Sequence, residues 1–155
     1  MRDPQPVVAK PRGSWALEAT DQLAAVREQL RAEMGDRRAM RDQSFALADP
    51  VERVLLVATE LAGNALRHAA PPATLRLSRS SGGWIVLVSD PRPQSPPRPA
   101  PPGGRDGGGR GLLIVDTLSS GTGWCPDGES KLVWAFVPDQ PPARLVETLR
   151  PDGLG

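Results

Sequence analysis

The chain has 155 residues, with 19 lysines and arginines against 18 acids, for a net charge of +1. That length suits one domain with its own core, and the near-neutral balance argues against the concentrated basic surface of a nucleic-acid binder. One cysteine, Cys125, and one histidine, His68, leave no disulfide framework and make a zinc or iron–sulfur site a poor fit. No apolar run approaches the roughly 20 residues of a membrane helix. The opening MRDPQPVVAKPRG lacks a signal-peptide core, so the expected location is the cytoplasm.

In chain order, residues 1–13 hold three prolines and no apolar period, and read as a flexible N-terminal arm. SWALEA is expected as a short strand. From Thr20, a candidate N-cap, Leu23, Val26, Leu30 and Met34 recur at helical spacing, which predicts a helix to about Glu33. A polar connector follows. Asp49-Pro50 then pairs a capping residue with proline at the first helical position. Val51, Val54, Leu55, Ala58, Ala62, Ala65 and Ala69 form one apolar stripe of the strongest predicted helix, which must end by Pro71-Pro72. ATLRLSRS, SGG and WIVLVSD read as a β-hairpin. Residues 91–110 hold seven prolines, five glycines and four arginines, the composition of a lid or spacer rather than of a core segment. GRGLLIVDTLSS reads as a helix opened by glycine, TGWCP and KLVWAFV as two final strands, and ARLVETL as a possible short helix in a tail over 139–155. The four tryptophans, Trp15, Trp84, Trp124 and Trp134, are expected in the core or packed on the sheet. The order β-α-α-β-β-loop-α-β-β predicts an α+β two-layer sandwich, a mostly antiparallel mixed sheet with helices on one face.

Within the long helix, ELAGNALRHA places Glu60, Asn64 and His68 at four-residue steps along one flank. A solvated face explains that flank as well as a ligand site does. Leu56, Val57 and Gly63 share its polar half, however, and suit a surface covered in part by a ligand. Asn64 offers a neutral oxygen to Mg²⁺, and Glu60, one turn earlier, could deprotonate a hydroxyl beside the same phosphates. His68 reads better as a helix-end residue than as a ligand. GGGRGL ends the loop and opens a helix, where free N–H groups can hold an anion. Gly109 and Gly111 would let the main chain wrap phosphates, with Arg110 adding charge. A plain glycine-rich turn is the alternative, and neither the P-loop nor the dinucleotide fingerprint fits. Asp90, where WIVLVSD gives way to the loop, could accept from an exocyclic amine or simply cap a strand end.

Taken in this order, TELAGNALRHA, VSD, a long lid and GGRGLLIVD resemble the boxes of the GHKL (Bergerat-fold) ATPase superfamily. The likeness runs from about Ser14 to Val137 and is greatest to small stand-alone regulators similar to anti-sigma-factor serine/threonine kinases. The resemblance implies ATP and Mg²⁺ as cofactors. It implies Glu60 as catalytic base, Asn64 as Mg²⁺ ligand, Asp90 as adenine reader, and Gly109, Arg110, Gly111 and Leu112 beside the phosphates. The ATP-binding domain would span 14–138 with its lid at 91–110. The implied partner is a regulatory protein, a sigma factor or an anti-sigma antagonist, with no nucleic acid and no membrane, and homodimers are common among such kinases. Two features depart from the pattern. DPRPQSPP lacks the glycines that follow the aspartate in broader members, and a last-strand position often filled by threonine is assigned to Leu132. The latter loses a hydrogen bond worth about 0.5–1.5 kcal/mol. These departures leave open a non-catalytic module of the same fold that sequesters its partner. A further alternative makes PQSPPRPAPP a polyproline docking segment.

Overall fold

The computed structural model describes residues 10–35, 49–68, 71–91 and 111–142. In chain order these form β1 (Lys10–Leu17), α1 (Leu23–Glu33), α2 (Pro50–His68), β2 (Ala73–Ser80) and β3 (Gly83–Asp90), followed by α3 (Gly111–Leu118), β4 (Gly121–Asp127) and β5 (Ser130–Pro138). The five strands make one sheet in the order β1-β2-β3-β5-β4. Every pairing is antiparallel, so the parallel component expected of a mixed sheet is absent from it. The β2–β3 turn closes through Gly82 at φ 78°, left-handed geometry that glycine adopts without steric cost.

Alternation along the strands sorts the two faces. Leu75, Leu77, Trp84, Val86, Val88, Val133, Ala135 and Val137 are buried in a single core with the helices. Into the same core α2 sends Val51, Val54, Leu55, Val57, Ala58, Leu61, Ala62 and Ala65. Burying each of its larger side chains is worth about 1.5–3 kcal/mol, which makes this helix the main apolar contributor to the helical layer. From α1 come Val26 and Leu30. Trp15 and Trp124 pack against the core edge, and Trp84 lies inside it. Trp134 lies on the opposite face, its indole covering the spaces left by Gly121 and Gly123 of β4.

Two local readings are corrected. β1 starts at Lys10, pairing with Arg79, so the last residues of the expected arm belong to the sheet. Thr20 opens a short 3₁₀ turn instead of capping α1, and the Gln22 side chain accepts from the N–H groups of Glu18 and Ala19 at 2.6 and 3.1 Å. Residues 92–110, including the expected lid with Gly109 and Arg110, and the ARLVETL segment lie outside the described residues. The cap of α2 is as expected: the Asp49 carboxylate accepts from the Val51 N–H at 2.9 Å.

At its amino end α2 is fastened to the end of β5. Arg53 is fully buried, and its guanidinium donates to the carbonyls of Pro138 and Asp139 at 2.9 and 3.0 Å. Desolvation lowers the Arg53 pKa, against the opposing pull of Asp49 and Asp139. Arg79 completes the fastening with two bonds to the Asp139 carboxylate, at 2.7 and 2.8 Å, while stacking over the Trp84 ring at 4.8 Å. Among the described residues no helix is long and apolar enough to cross a membrane.

Candidate functional site

With its amino end fixed to the end of β5, α2 delivers Glu60 and Asn64 toward the opposite edge of the layer, where β3 ends and β5 begins. Both side chains are half-buried, whereas Arg67 and His68 at the end of the helix are exposed. The flank is therefore neither a fully solvated face nor part of the core. Val57, read from the sequence as one of its apolar neighbours, belongs to the core, and Leu56 is the half-buried apolar residue on the flank.

Gly63 does not leave its space open to a ligand. The Arg67 guanidinium lies over it, with Nη1 2.9 Å from where a Cβ would stand. That places a cation over Gly63, a feature the four-residue spacing from Gly63 to Arg67 was able to suggest.

Two of the motif segments read separately in the sequence, ELAGNALRHA and GRGLLIVD, meet at Gly111. A Cβ at Gly111 would collide with the Glu60 carboxylate, so the absence of a side chain there is what admits Glu60 to the opening turn of α3. A carboxylate at a helix N-terminus is also favoured by the dipole. Leu112 follows, but its side chain packs on the core and faces a cavity of about 230 Å³ bounded also by Leu61, Val115, Trp124 and Val133. Its contribution to an anion site is thus limited to its backbone, and the side chain anchors α3.

Asp90 closes β3 on the helix-covered face, only 2% exposed. Its cross-strand partner is Lys131, 5% exposed, with Nζ 3.4 Å from Asp90 Oδ2. Leu132 pairs instead with Ser89 and projects to the other face, so it does not stand beside the aspartate as the sequence reading assumed. Register between β3 and β5 was needed to find Lys131, and no local motif announces it.

Among the described residues no group of three or more His, Cys, Asp or Glu side chains is arranged to hold a metal. The oxygens at hand are those of Glu60 and Asn64, one helical turn apart. Such a sparse, hard-oxygen set fits Mg²⁺, which keeps several waters and shares itself with phosphates.

The sequence matches the histidine kinase-like ATPase domain family over residues 17–134. Among curated proteins no sequence reaches a significant match. Among solved structures, the chain is similar to the RsbU and RsbW domains of a Mycobacterium tuberculosis protein, with TM-score 0.53 and 15% identity. That alignment covers 85% of this chain and 34% of the other, so the match spans about a third of that solved chain. A blue-light-activated histidine kinase domain from Erythrobacter litoralis aligns at TM-score 0.45 and 21% identity, over 77% of this chain and 64% of that one. Histidine kinase AdeS from Acinetobacter baumannii aligns at 0.43 and 16%, over 82% and 68%. The five-stranded antiparallel sheet under three helices, the Glu60–Gly111 junction and the family match over most of the chain lead to one assignment: the chain belongs to the histidine kinase-like ATPase domains of the GHKL superfamily.

Proposed function

We propose that this chain binds Mg-ATP between the Glu60–Asn64 flank of α2, the opening turn of α3 and the Asp90 end of β3, and transfers the γ-phosphate to a serine or threonine of a regulatory partner protein. The observation that carries the reading is the contact of the Glu60 carboxylate with Gly111, which joins the helix bearing Asn64 to the glycine-opened helix. Asp90 accepts from the adenine amine, and Asn64 supplies an oxygen ligand to Mg²⁺. When bound, Mg²⁺ neutralises phosphate charge. Glu60 takes the proton of the incoming hydroxyl as its oxygen bonds to the γ-phosphorus, and the bond to the β-phosphate oxygen breaks to leave ADP. Orientation and charge supply the rate, as is general for phosphoryl transfer. Gly109, Arg110 and Gly111 would line the phosphates. The serine/threonine and anti-sigma character rests on motif resemblance, because the structural likeness at 15% identity speaks to fold alone.

Calorimetric titration of ATP with Mg²⁺ into wild type, Asn64→Ala and Asp90→Asn tests the site. Saturable binding lost in both variants is expected, and no heat up to millimolar ATP sinks the proposal. Incubation with radiolabelled ATP and proteins captured from the same cells tests the transfer. Label should reach a serine or threonine with wild type and be absent with Glu60→Gln.

One observation favours a second reading, a non-catalytic module that holds its partner without chemistry. The Asp90 carboxylate already has a cationic neighbour in Lys131, which competes with a nucleotide amine. Partner affinity that is identical with and without ATP would select it.

A further inference from the structure

Among the described residues, the helices cover one face of the sheet only. Strand alternation turns Ile85, Leu87, Leu132, Trp134 and Phe136 to the outer face, where register sets Ile85 beside Phe136 and Leu87 beside Trp134. Cys125 of β4 stands on the same face, across from Leu132. All five large side chains lie outside the core that the sheet shares with the helices. An antiparallel sheet with one solvated face normally turns polar residues to it, and a contiguous apolar patch in their place marks a surface that something covers.

The face is withdrawn from water unevenly. Ile85 is 5% exposed, as little as the core residues, and Ser78 beside it on β2 is 9% exposed. Leu87, Ser89 and Leu132, farther along, are only half-buried. The deeper end is the one where β5 stops at Pro138, opposite Gly83. There the Asp139 N–H donates to the Gly82 carbonyl at 2.9 Å, and the half-buried Pro141 and Pro142 follow. On the helical side this rim is already filled, because Arg53 and Arg79 hold Asp139. A chain leaving Pro142 meets its nearest unfilled apolar surface on the outer face.

The sequence after Pro142 is ARLVETLR. At about 100° per residue, Leu145, Val146 and Leu149 fall within one sector of roughly 100°, and Arg144, Glu147 and Arg150 fall outside it. Seven helical residues extend about 10 Å, and Phe136 to Leu132 along β5 spans about 13 Å. Pattern and length therefore match the patch.

We infer that residues 143–149 dock as an amphipathic helix on the outer face of the sheet, with Leu145, Val146 and Leu149 against Ile85, Trp134 and Phe136. The occupant of the face is this chain's own segment. A partner protein approaching from that side meets Arg144, Glu147 and Arg150 instead of an apolar sheet. The inference is independent of the nucleotide site.

Hydrogen exchange on the full wild-type chain reads the docking directly. A helix this short is not stable alone in water, so order in the segment reports packing. Amides within 143–149 should exchange about tenfold or more below the unstructured rate. Unprotected exchange throughout 143–149 overturns the inference with no variant needed. Cys125, the sole cysteine, is half-buried on the same face and gives a second readout through its labelling rate with a thiol reagent. Leu145→Ser with Leu149→Ser should speed labelling several-fold and lower the melting temperature by several degrees. Glu147→Ser, on the polar side, should change neither. Labelling and melting unchanged in the double variant overturn the inference. Protection lost on dilution, with a dimer mass in light scattering, gives the face to a second copy and overturns it equally.

Discussion

Gly111→Ala separates the positioning of Glu60 from the stability of the fold. The added methyl collides with the Glu60 carboxylate, while Glu60 Cδ and Cβ stand at 3.5 and 3.9 Å from it, ordinary contact distances. Only the carboxylate end must therefore move, by roughly 1 Å, and neither α2 nor α3 has to shift. Gly111 is not among the glycines with positive φ, so alanine fits its backbone. Helix propensity then favours alanine by about 0.5–1 kcal/mol. An off-rotamer Glu60 costs about the same, so the folding free energy should change by less than about 1 kcal/mol. Catalysis is less forgiving: a misplacement of about 1 Å costs on the order of a hundredfold in rate. ATP affinity is measured separately, because Gly111 is also placed beside the phosphates even though Asn64 and Asp90 are untouched. Urea titration, ATP calorimetry and the phosphoryl-transfer rate are measured on the same preparation. A Gly111→Ala protein that transfers phosphate at the wild-type rate would refute the role given to Glu60, and one that loses several kcal/mol would refute the packing argument.

Arg53→Met leaves the carbonyls of Pro138 and Asp139 without their charged donor, and should lower the unfolding free energy by about 2–4 kcal/mol in urea titration. Gly123→Ala drives a methyl to within 2.6 Å of Trp134 Nε1. The indole must tilt off β4, at a cost of about 1–3 kcal/mol readable in a thermal melt. The Asp139 pKa is lowered, first by its hydrogen bonds from Arg79, with burial opposing. A lowered carboxylate contributes stability above its unfolded value and loses it as pH falls through the folded one. Melts of wild type should therefore drop below about pH 4 by a component that Asp139→Asn lacks. That component should be small, since both side chains are about a third exposed.

Local signals were legible wherever one residue's neighbours along the chain decide its fate. The Asp49-Pro50 start and the stripe from Val51 to Ala65 give α2 its cap and its buried face, and ATLRLSRS is β2 residue for residue. Glu60 and Asn64 shared a flank by helical period alone. What escaped depends on pairing across the chain. Lys131 becomes a neighbour of Asp90 only through β3–β5 register, and a reading one residue off selected Leu132, which the pleat turns to the other face. Arg53 breaks the apolar stripe as an apparent surface charge, yet it is fully buried because two carbonyls at the end of β5 receive it. Lys10 to Gly13 looked like coil because proline and charge dominate there, and it is β2 that organises them as a strand.

The fastening at Arg53 makes α2 a lever. Its fulcrum is the pair of carbonyls at the end of β5, and Glu60 and Asn64 ride about 10 and 16 Å farther along the shaft at 1.5 Å per residue. A rocking of about 5° around that fulcrum would sweep Asn64 through roughly 1.4 Å, on the scale that would separate a seated from a displaced group in the site proposed for it. The stiffness of a joint near Pro138, at the other end of α2 from the proposed nucleotide site, would thereby bear on how sharply Glu60 and Asn64 are aimed.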